Sequence, residues 1–352
     1  MINFKEIEIS DKPIIDGYLN TCFKTISELT FANMFIWRKP YEIKWAIVRD
    51  CLVIHYRSKY DVGASFPIGK GDVFAAAEDV IEDFKKRYGK MTFYIFALDT
   101  LPYFMRHFGD RFRLKNTVDV NDYVYHQSDL ANLAGKKYHQ KRNHISAFKK
   151  QYNYTYNRIT LDDLDDCMAL FQKWYAGRGE IMDISDDLNA KIELFGNYEA
   201  LKQVGGILRV DGEPVAVTVG EELNPKTMVV HVEFANTDYR GSFPLINQEF
   251  SKNECAPYLY INREEDMTKN TKTIMEMMLR FLRRIGNCPN RTVNSISRME
   301  TCSPDSDRIW EMPLLLKSSV TSCGISRLSP MMRDFSRALC VCEKSVSNRS
   351  DM

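Results

Sequence analysis

One order of elements occurs twice along this chain, and it restricts the fold more than any composition figure does. In the first half, WAIVRDCLVIHYR (45–57) reads as a hairpin, two apolar runs around Arg49-Asp50. SFPIGKGD (65–72) is a Gly/Pro loop leading into an amphipathic helix over 72–88, and MTFYIFAL (91–98) and NDYVYHQ (121–127) are β-prone runs. A mixed helical segment precedes them, starting at Asp11-Lys12-Pro13 and ending near Trp37. The second half has a helix over 161–177 with Leu164, Met168, Phe171 and Trp174 inward, and another over 187–202. GGILRVDGEPVAVTVGEEL (205–223) is a hairpin turned by Asp211-Gly212. A strand over 227–236, a loop and helix over 239–253 and a strand over 257–266 complete the set. The repeat predicts an α+β protein of two similar lobes.

The repeat stops where the composition changes. All 18 Tyr precede residue 268, and the last 85 residues keep only Phe281, Trp310 and Phe335 as aromatics. That tail is rich in Ser, holds Cys288, Cys302, Cys323, Cys340 and Cys342, and carries +6 where the first 267 residues carry −5. It has little apolar surface to offset ordering entropy, so 287–352 is expected to be poorly ordered. A short amphipathic helix is expected before it, over 272–285.

Several function classes fall away. Lys+Arg 48 against Asp+Glu 47 gives no whole-chain field toward nucleic acid or membrane, so any such affinity must be local. No apolar run reaches the ~20 residues of a membrane helix, and MINFKEIEIS lacks a signal-peptide h-region. Nine cysteines without a CxxC pair argue against a disulfide framework and for a reduced, cytoplasmic setting. The six His lack HExxH spacing, so no metal site is expected; GxSxG and P-loop motifs are absent too. Trp37 and Trp174 read as core anchors.

The local charge sits in GKKYHQKRNHISAFKK. Lys136, Lys137, Lys141, Arg142, Asn143 and His144 cluster there, with Lys149 and Lys150 just beyond. At helical spacing Tyr138, Ile145, Phe148 and Tyr152 form one apolar stripe, leaving the basic residues mostly opposite. Such a face suits phosphates through counterion release, and Arg142 could hold one bidentately. The plainer reading is a connector helix whose charges only keep it solvated.

Stretches in a fixed order resemble the phosphatidylglycerol lysyltransferase C-terminal-domain family, of the tandem-GNAT group that includes Fem-type peptidyltransferases. They are SELTFANMFIWR (27–38), DLANLAGKKYHQKRNHISAFKKQY (129–152), GEPVAVTVGEELN (212–224), VVHVEFANTDYRGSFPLINQEF (229–250) and YINREEDM (260–267). The resemblance implies a GNAT-like lobe over 1–130, a basic connector helix over 131–152 and a second GNAT-like lobe over 153–286, followed by the atypical tail. It implies transfer of an aminoacyl group from aminoacyl-tRNA, lying along the basic helix, to a lipid head group or a cell-wall peptide. Aminoacyl-tRNA would be a co-substrate, with no other cofactor, and peripheral membrane contact is compatible with such an acceptor. After the polar cluster the family usually continues Gly-Leu-Arg…Lys and Ser-Tyr-x-Pro; here Met267 is followed by TKNTKTIMEMMLRF.

In a GNAT lobe the strands splay to form the transfer cleft, and a carboxylate there could accept the acceptor's proton. Glu233 is the first candidate and Glu265 the second, with Asn236, Asn247, Asn262, Arg263, Glu264 and Asp266 lining the cleft. Strict alternation would put His231 and Glu233 on one face of their strand, with Val230 and Val232 on the other. Alternatively, Glu233 is a surface residue paired with Arg240 or Arg263. Two rival functions remain. An acyl-CoA-dependent N-acyltransferase is weakened because Arg240-Gly241-Ser242 offers one glycine for a pyrophosphate loop. A non-catalytic tRNA- or lipid-binding protein of the same fold is favoured by the altered C-terminus.

Overall fold

The computed structural model describes residues 1–58, 61–94, 100–116, 122–176, 184–265 and 339–343. The first half runs β1 (Lys5–Glu6), α1 (Lys12–Leu19), α2 (Phe31–Ile36), β2 (Lys44–Val48), β3 (Cys51–Arg57), β4 (Val62–Ser65), β5 (Ile68–Gly69), α3 (Val73–Tyr88), β6 (Thr92–Tyr94), α4 (Leu101–Phe108), β7 (Phe112–Asn116) and β8 (Asp122–His126). Then come α5 (Gln127–Asn132), α6 (His139–Gln151), β9 (Tyr154–Arg158), α7 (Leu164–Ala176), α8 (Ile184–Gly196), β10 (Val204–Val210), β11 (Glu213–Asn224), β12 (Thr227–Ala235), α9 (Ser242–Asn253), β13 (Tyr260–Glu265) and β14 (Leu339–Glu343).

Local chemistry explains the elements that the sequence announced. The β2–β3 hairpin turns at Arg49 and Asp50, both at positive φ (48° and 59°), as a tight two-residue hairpin requires. The β10–β11 hairpin does the same at Asp211 and Gly212. Helix α3 starts where the Asp72 side chain accepts from the N–H groups of Phe74 and Ala75, and stops at Gly89 in the left-handed region. Helix α8 ends at Gly196, short of the expected 202; Lys202 is at φ 57°, so the chain has left the helix. The run from 91 is a strand over Thr92–Tyr94, and 95–99 lie outside the described residues.

The predicted repeat is visible in the sheets. The first sheet is ordered β1-β2-β3-β4-β6-β14-β7, with β5 also on β3; the second is ordered β8-β13-β12-β11-β10-β9. In each, an antiparallel meander leads through a helix, α3 or α9, to a parallel neighbour: β4 beside β6, and β12 beside β13. These are two GNAT-like lobes in an α+β fold. One core cluster joins Trp45, Phe31 and Ile54 of the first lobe to Phe171, Val219 and Phe234 of the second, with Trp37 packed on it. The side chain of Trp174 lies outside the described residues.

Two strands depart from the expected division. β8, expected with the first lobe, is the edge strand of the second sheet, paired antiparallel with β13 from Tyr260↔His126 to Glu265↔Asp122. β14 comes from the tail expected to be poorly ordered, yet it lies between β6 and β7 in the first sheet. Each sheet is thus completed by a strand from far along the chain, because backbone pairing ignores sequence distance. The rest of 266–352, including the helix expected over 272–285, lies outside the described residues. Among the described residues no helix is long and apolar enough to cross a membrane.

Candidate functional site

The site begins with one extra residue. Along the β11–β12 ladder Val219 faces Val232, but Gly220 faces Val230, so His231 is left over as a β-bulge. Gly220 makes this possible: a Cβ there would stand 2.0 Å from the Val229 carbonyl oxygen. A bulge shifts the phase of alternation. Met228 and Val230 pack with Phe250 and Ile261, whereas Val232 and Phe234 join the core beneath α7. The expectation that His231 and Glu233 share a face therefore fails: strict period-2 counting does not survive an inserted residue.

Beside the bulge β12 and β13 part company. Their parallel pairing runs Thr227↔Tyr260, Met228↔Ile261 and Val229↔Asn262, then ends. Beyond it the strands are joined by side chains, one bridge on each face of the sheet. On one face Arg263 Nη2 donates to Glu233 Oε1 at 2.7 Å. On the other, Glu264 Oε1 meets His231 Nδ1 at 2.6 Å.

The second bridge belongs to a buried network. His231 Nε2 lies 2.9 Å from Glu221 Oε1, and Asn33 Nδ2, from α2, donates to Glu264 Oε1 at 3.2 Å. The Glu264 N–H donates to Asn262 Oδ1, and Asn262 Nδ2 donates to Asp122 Oδ2 at 2.6 Å. Asp122 also accepts from the Ser27 N–H and hydroxyl. Burial pulls the His231 imidazole toward neutrality, but Glu264 and Glu221 outweigh it and raise its pKa to about 10. Burial raises the Asp122 carboxyl to about 6, against the Asn262 and Ser27 hydrogen bonds that favour the anion.

The first bridge lies on the face covered by α9. Glu233 Oε2 accepts from Asn247 Nδ2 of α9 at 3.0 Å and from the Thr218 hydroxyl at 3.3 Å, so both its oxygens are engaged and its side chain is 8% exposed. Arg263 keeps a buried Nε with no partner among the described residues. Lys141 of α6 lies close enough for these charges to act on it. Desolvation by its neighbours, then the Arg263 charge, lowers the pKa of Lys141, with Glu233 opposing, although the residue keeps an exposed surface.

The predicted residues thus divide. Glu233, Asn247, Asn262, Arg263 and Glu264 converge around the parted strands, although on two faces rather than one. Asn236 stays in the turn after β12, its Oδ1 accepting from the Asp238 N–H. The side chain of Glu265 and the whole of Asp266 lie outside the described residues. In α6 the apolar stripe is buried as expected, with Tyr138, Ile145 and Phe148 in one cluster. Its cations are not equivalent. Arg142 Nη1 donates to the Leu133 and Gly135 carbonyls, at and just beyond the C-cap of α5, which ties its guanidinium to the connector. Lys137 pairs with Asp129, and Asn143 with His139. Lys136, Lys141 and Lys150 are exposed. His144 turns its backbone carbonyl toward Gly241 at the start of α9. Ser27, Asn33, Asp122, Glu221 and His231 were not singled out for the site; a histidine and an acid on either side of a glycine-marked bulge were the available signal.

Comparison with known proteins bears on the fold and the family. No curated protein matches the chain. A conserved protein of unknown function from Bacteroides thetaiotaomicron VPI-5482 is 27% identical, with a TM-score of 0.74 over 98% of this chain and 100% of that one. L-PGS from Bacillus licheniformis shares the fold at 12% identity and a TM-score of 0.52, over 97% of this chain and 93% of that one. FemX shares it at 9% identity and a TM-score of 0.50, over 78% and 93%. The family model described as phosphatidylglycerol lysyltransferase, C-terminal, matches residues 22–291. The chain belongs to that family, the phosphatidylglycerol lysyltransferase C-terminal domains.

Proposed function

We propose that this protein is an aminoacyltransferase of the lysyl-phosphatidylglycerol synthase or Fem-like kind, taking its aminoacyl group from aminoacyl-tRNA. The acceptor is a hydroxyl or amine of a lipid head group or a cell-wall peptide. The observation that carries this reading is that α9 joins the basic helix to the parted strands: Lys149 of α6 pairs with Glu249 of α9 at 3.0 Å, and Asn247 of α9 donates to Glu233 Oε2 at 3.0 Å. This supports reading the basic helix and the parted strands as one site, with cations for a polynucleotide's phosphates beside the place where β12 and β13 separate. The exposed Lys136, Lys141 and Lys150 supply the electrostatic contact. Arg263, whose side chain is 30% exposed beside Glu233, adds a positive charge near the ester.

In the transfer, the acceptor's lone pair attacks the ester carbonyl carbon and a new C–O or C–N bond forms. The bond from that carbon to the terminal ribose oxygen breaks. The acceptor's proton ends on the ribose hydroxyl, so the products are the aminoacylated acceptor and free tRNA. Backbone groups of β12 beyond Val229, released from β13, are available to polarise the carbonyl. An acyl-CoA donor is disfavoured at the start of α9, where a pyrophosphate would sit. A Cβ on Gly241 would already meet the His144 carbonyl oxygen at 2.6 Å and Phe148 at 3.2 Å.

The test is binding of charged and uncharged total tRNA by the full chain at two salt concentrations. Tight, salt-sensitive binding with preference for charged tRNA, lost in Lys136→Glu/Lys141→Glu/Lys150→Glu, is the expected result. Absence of binding at low salt would remove the aminoacyl-tRNA donor and bring acyl-CoA forward.

A further inference from the structure

We propose that His231 is a positioning residue for this transfer: bridged to Glu221 and Glu264, it fixes the Glu264 carboxylate so that its other oxygen serves as the acceptor's proton acceptor. The inference rests on the transferase reading above.

Acids facing both ring nitrogens favour a doubly protonated ring. Nδ1 is 2.6 Å from Glu264 Oε1 and Nε2 is 2.9 Å from Glu221 Oε1. A neutral imidazole has one N–H, and its bare nitrogen would face a carboxylate lone pair. The His231 side chain is 0% exposed, so the cation has no water and is held by its two acids. Burying such a triad is a poor route to stability compared with apolar packing of the same volume. The charged groups around it are Glu221 on β11, Glu264 on β13 and, through Asn262, Asp122 on β8. The Arg263–Glu233 pair lies on the opposite face.

Everything in this network ends on one carboxylate. Glu264 is held at φ 55°, a left-handed conformation that is costly for a residue with a Cβ. Its N–H is fixed by Asn262, which is fixed by Asp122, which is fixed by Ser27. Its Oε1 accepts from both His231 and Asn33. Its Oε2 has no partner among the described residues, and the side chain is 21% exposed. Glu233 differs, with donors on both oxygens. Of the two acids at the gap, Glu264 alone combines a rigid mount with a free oxygen.

In the step, Glu264 Oε2 takes the proton from the acceptor's O–H or N–H as the lone pair attacks the ester carbon. It returns that proton to the ribose oxygen as the C–O bond breaks, and the enzyme is left unchanged. His231 never exchanges its own protons. It holds the Glu264 carboxylate in place.

The experiment uses the full chain in two arms. In the first, ¹⁵N-histidine-labelled wild type is observed by NMR at pH 8, with His231→Gln to assign the signal. Two protonated ring nitrogens are expected; a neutral tautomer overturns the inference whatever the activity. In the second, transfer from charged tRNA to phosphatidylglycerol vesicles or to a peptide amine is followed for wild type, Glu264→Gln and His231→Gln. Glu264→Gln should lower kcat on the order of 10²–10⁴-fold at unchanged KM for tRNA. His231→Gln should lower kcat on the order of 10–10²-fold at unchanged KM for tRNA. Unchanged kcat in His231→Gln, or a loss carried by KM for tRNA instead, would overturn the positioning role while leaving the transferase reading intact. No transfer by the wild type with any charged tRNA would remove both.

Discussion

Gly220 and Val229 approach so closely that no side chain fits between them: a Cβ on Gly220 would stand 2.0 Å from the Val229 carbonyl oxygen. The obstacle is backbone, which cannot swing aside as a side chain can. Gly220→Ala should therefore push β11 from β12 and cost roughly 2 kcal/mol or more, read from urea denaturation. The same variant should release His231 from Glu221, seen as a shifted His231 ring signal. An alanine variant as stable as wild type would mean that the two strands can separate there freely.

The Arg263–Glu233 bridge is open on the arginine side, at 30% exposure, and closed on the glutamate side. That places it between surface pairs of little worth and buried pairs whose rupture is severe. Glu233→Ala should cost about 2 kcal/mol, since it also strands Asn247 and Thr218. A double-mutant cycle with Arg263→Ala should return a coupling of about 1–2 kcal/mol. Additive single effects would show that the contact contributes nothing of its own.

Stability should depend on pH through two groups raised by folding. The His231 pKa rises from the ordinary 6.5 to about 10, so its contribution is complete below 6.5 and is lost as pH climbs through 10. Asp122 rises from 3.8 to about 6, so its protonated form favours the fold below 3.8 and that benefit is gone above 6. The stability gap between wild type and His231→Gln, followed by denaturant titration, should narrow from pH 6.5 toward pH 10. A gap that stays constant over that window would contradict the raised pKa.

Arg142 and Lys141 are neighbours in sequence with opposite expected phenotypes. Arg142→Ala removes the donor to the Leu133 and Gly135 carbonyls and should cost about 1–2 kcal/mol in thermal denaturation, with the salt slope of tRNA binding unchanged. Lys141→Ala should leave stability within about 0.5 kcal/mol and reduce that slope by about 0.7–0.9. Exchange of the two phenotypes would reverse the roles assigned to α6.

What the sequence announced and what it concealed differ in range. Asp211-Gly212, Arg49-Asp50, the Asp72 cap and Gly89 act within a few residues, so the hairpins and α3 could be read directly. The stripe Tyr138, Ile145, Phe148 likewise needed only helical spacing. The two-faced site could not be read, because one inserted residue at His231 undoes the alternation on which the faces of Val230, Val232 and Glu233 were assigned. The sequence offers Arg142 as a bidentate phosphate ligand, and nothing local reveals that its Nη1 engages the Leu133 and Gly135 carbonyls. Asp122 lay in a run recognised only as β-prone, and its partners Ser27 and Asn262 are 95 and 140 residues away.

The crossed placement of β8 and β14 has a consequence for how the chain is made. β6 and β7 emerge from the ribosome with a gap between them that is filled only when β14 arrives more than two hundred residues later. β8 must likewise wait for β13 before it has a partner. Both nascent sheets therefore carry open edges through most of synthesis, a slow and aggregation-exposed route. A break between the lobes would leave two fragments that each lack the strand held by the other, and each would remain adhesive until they met.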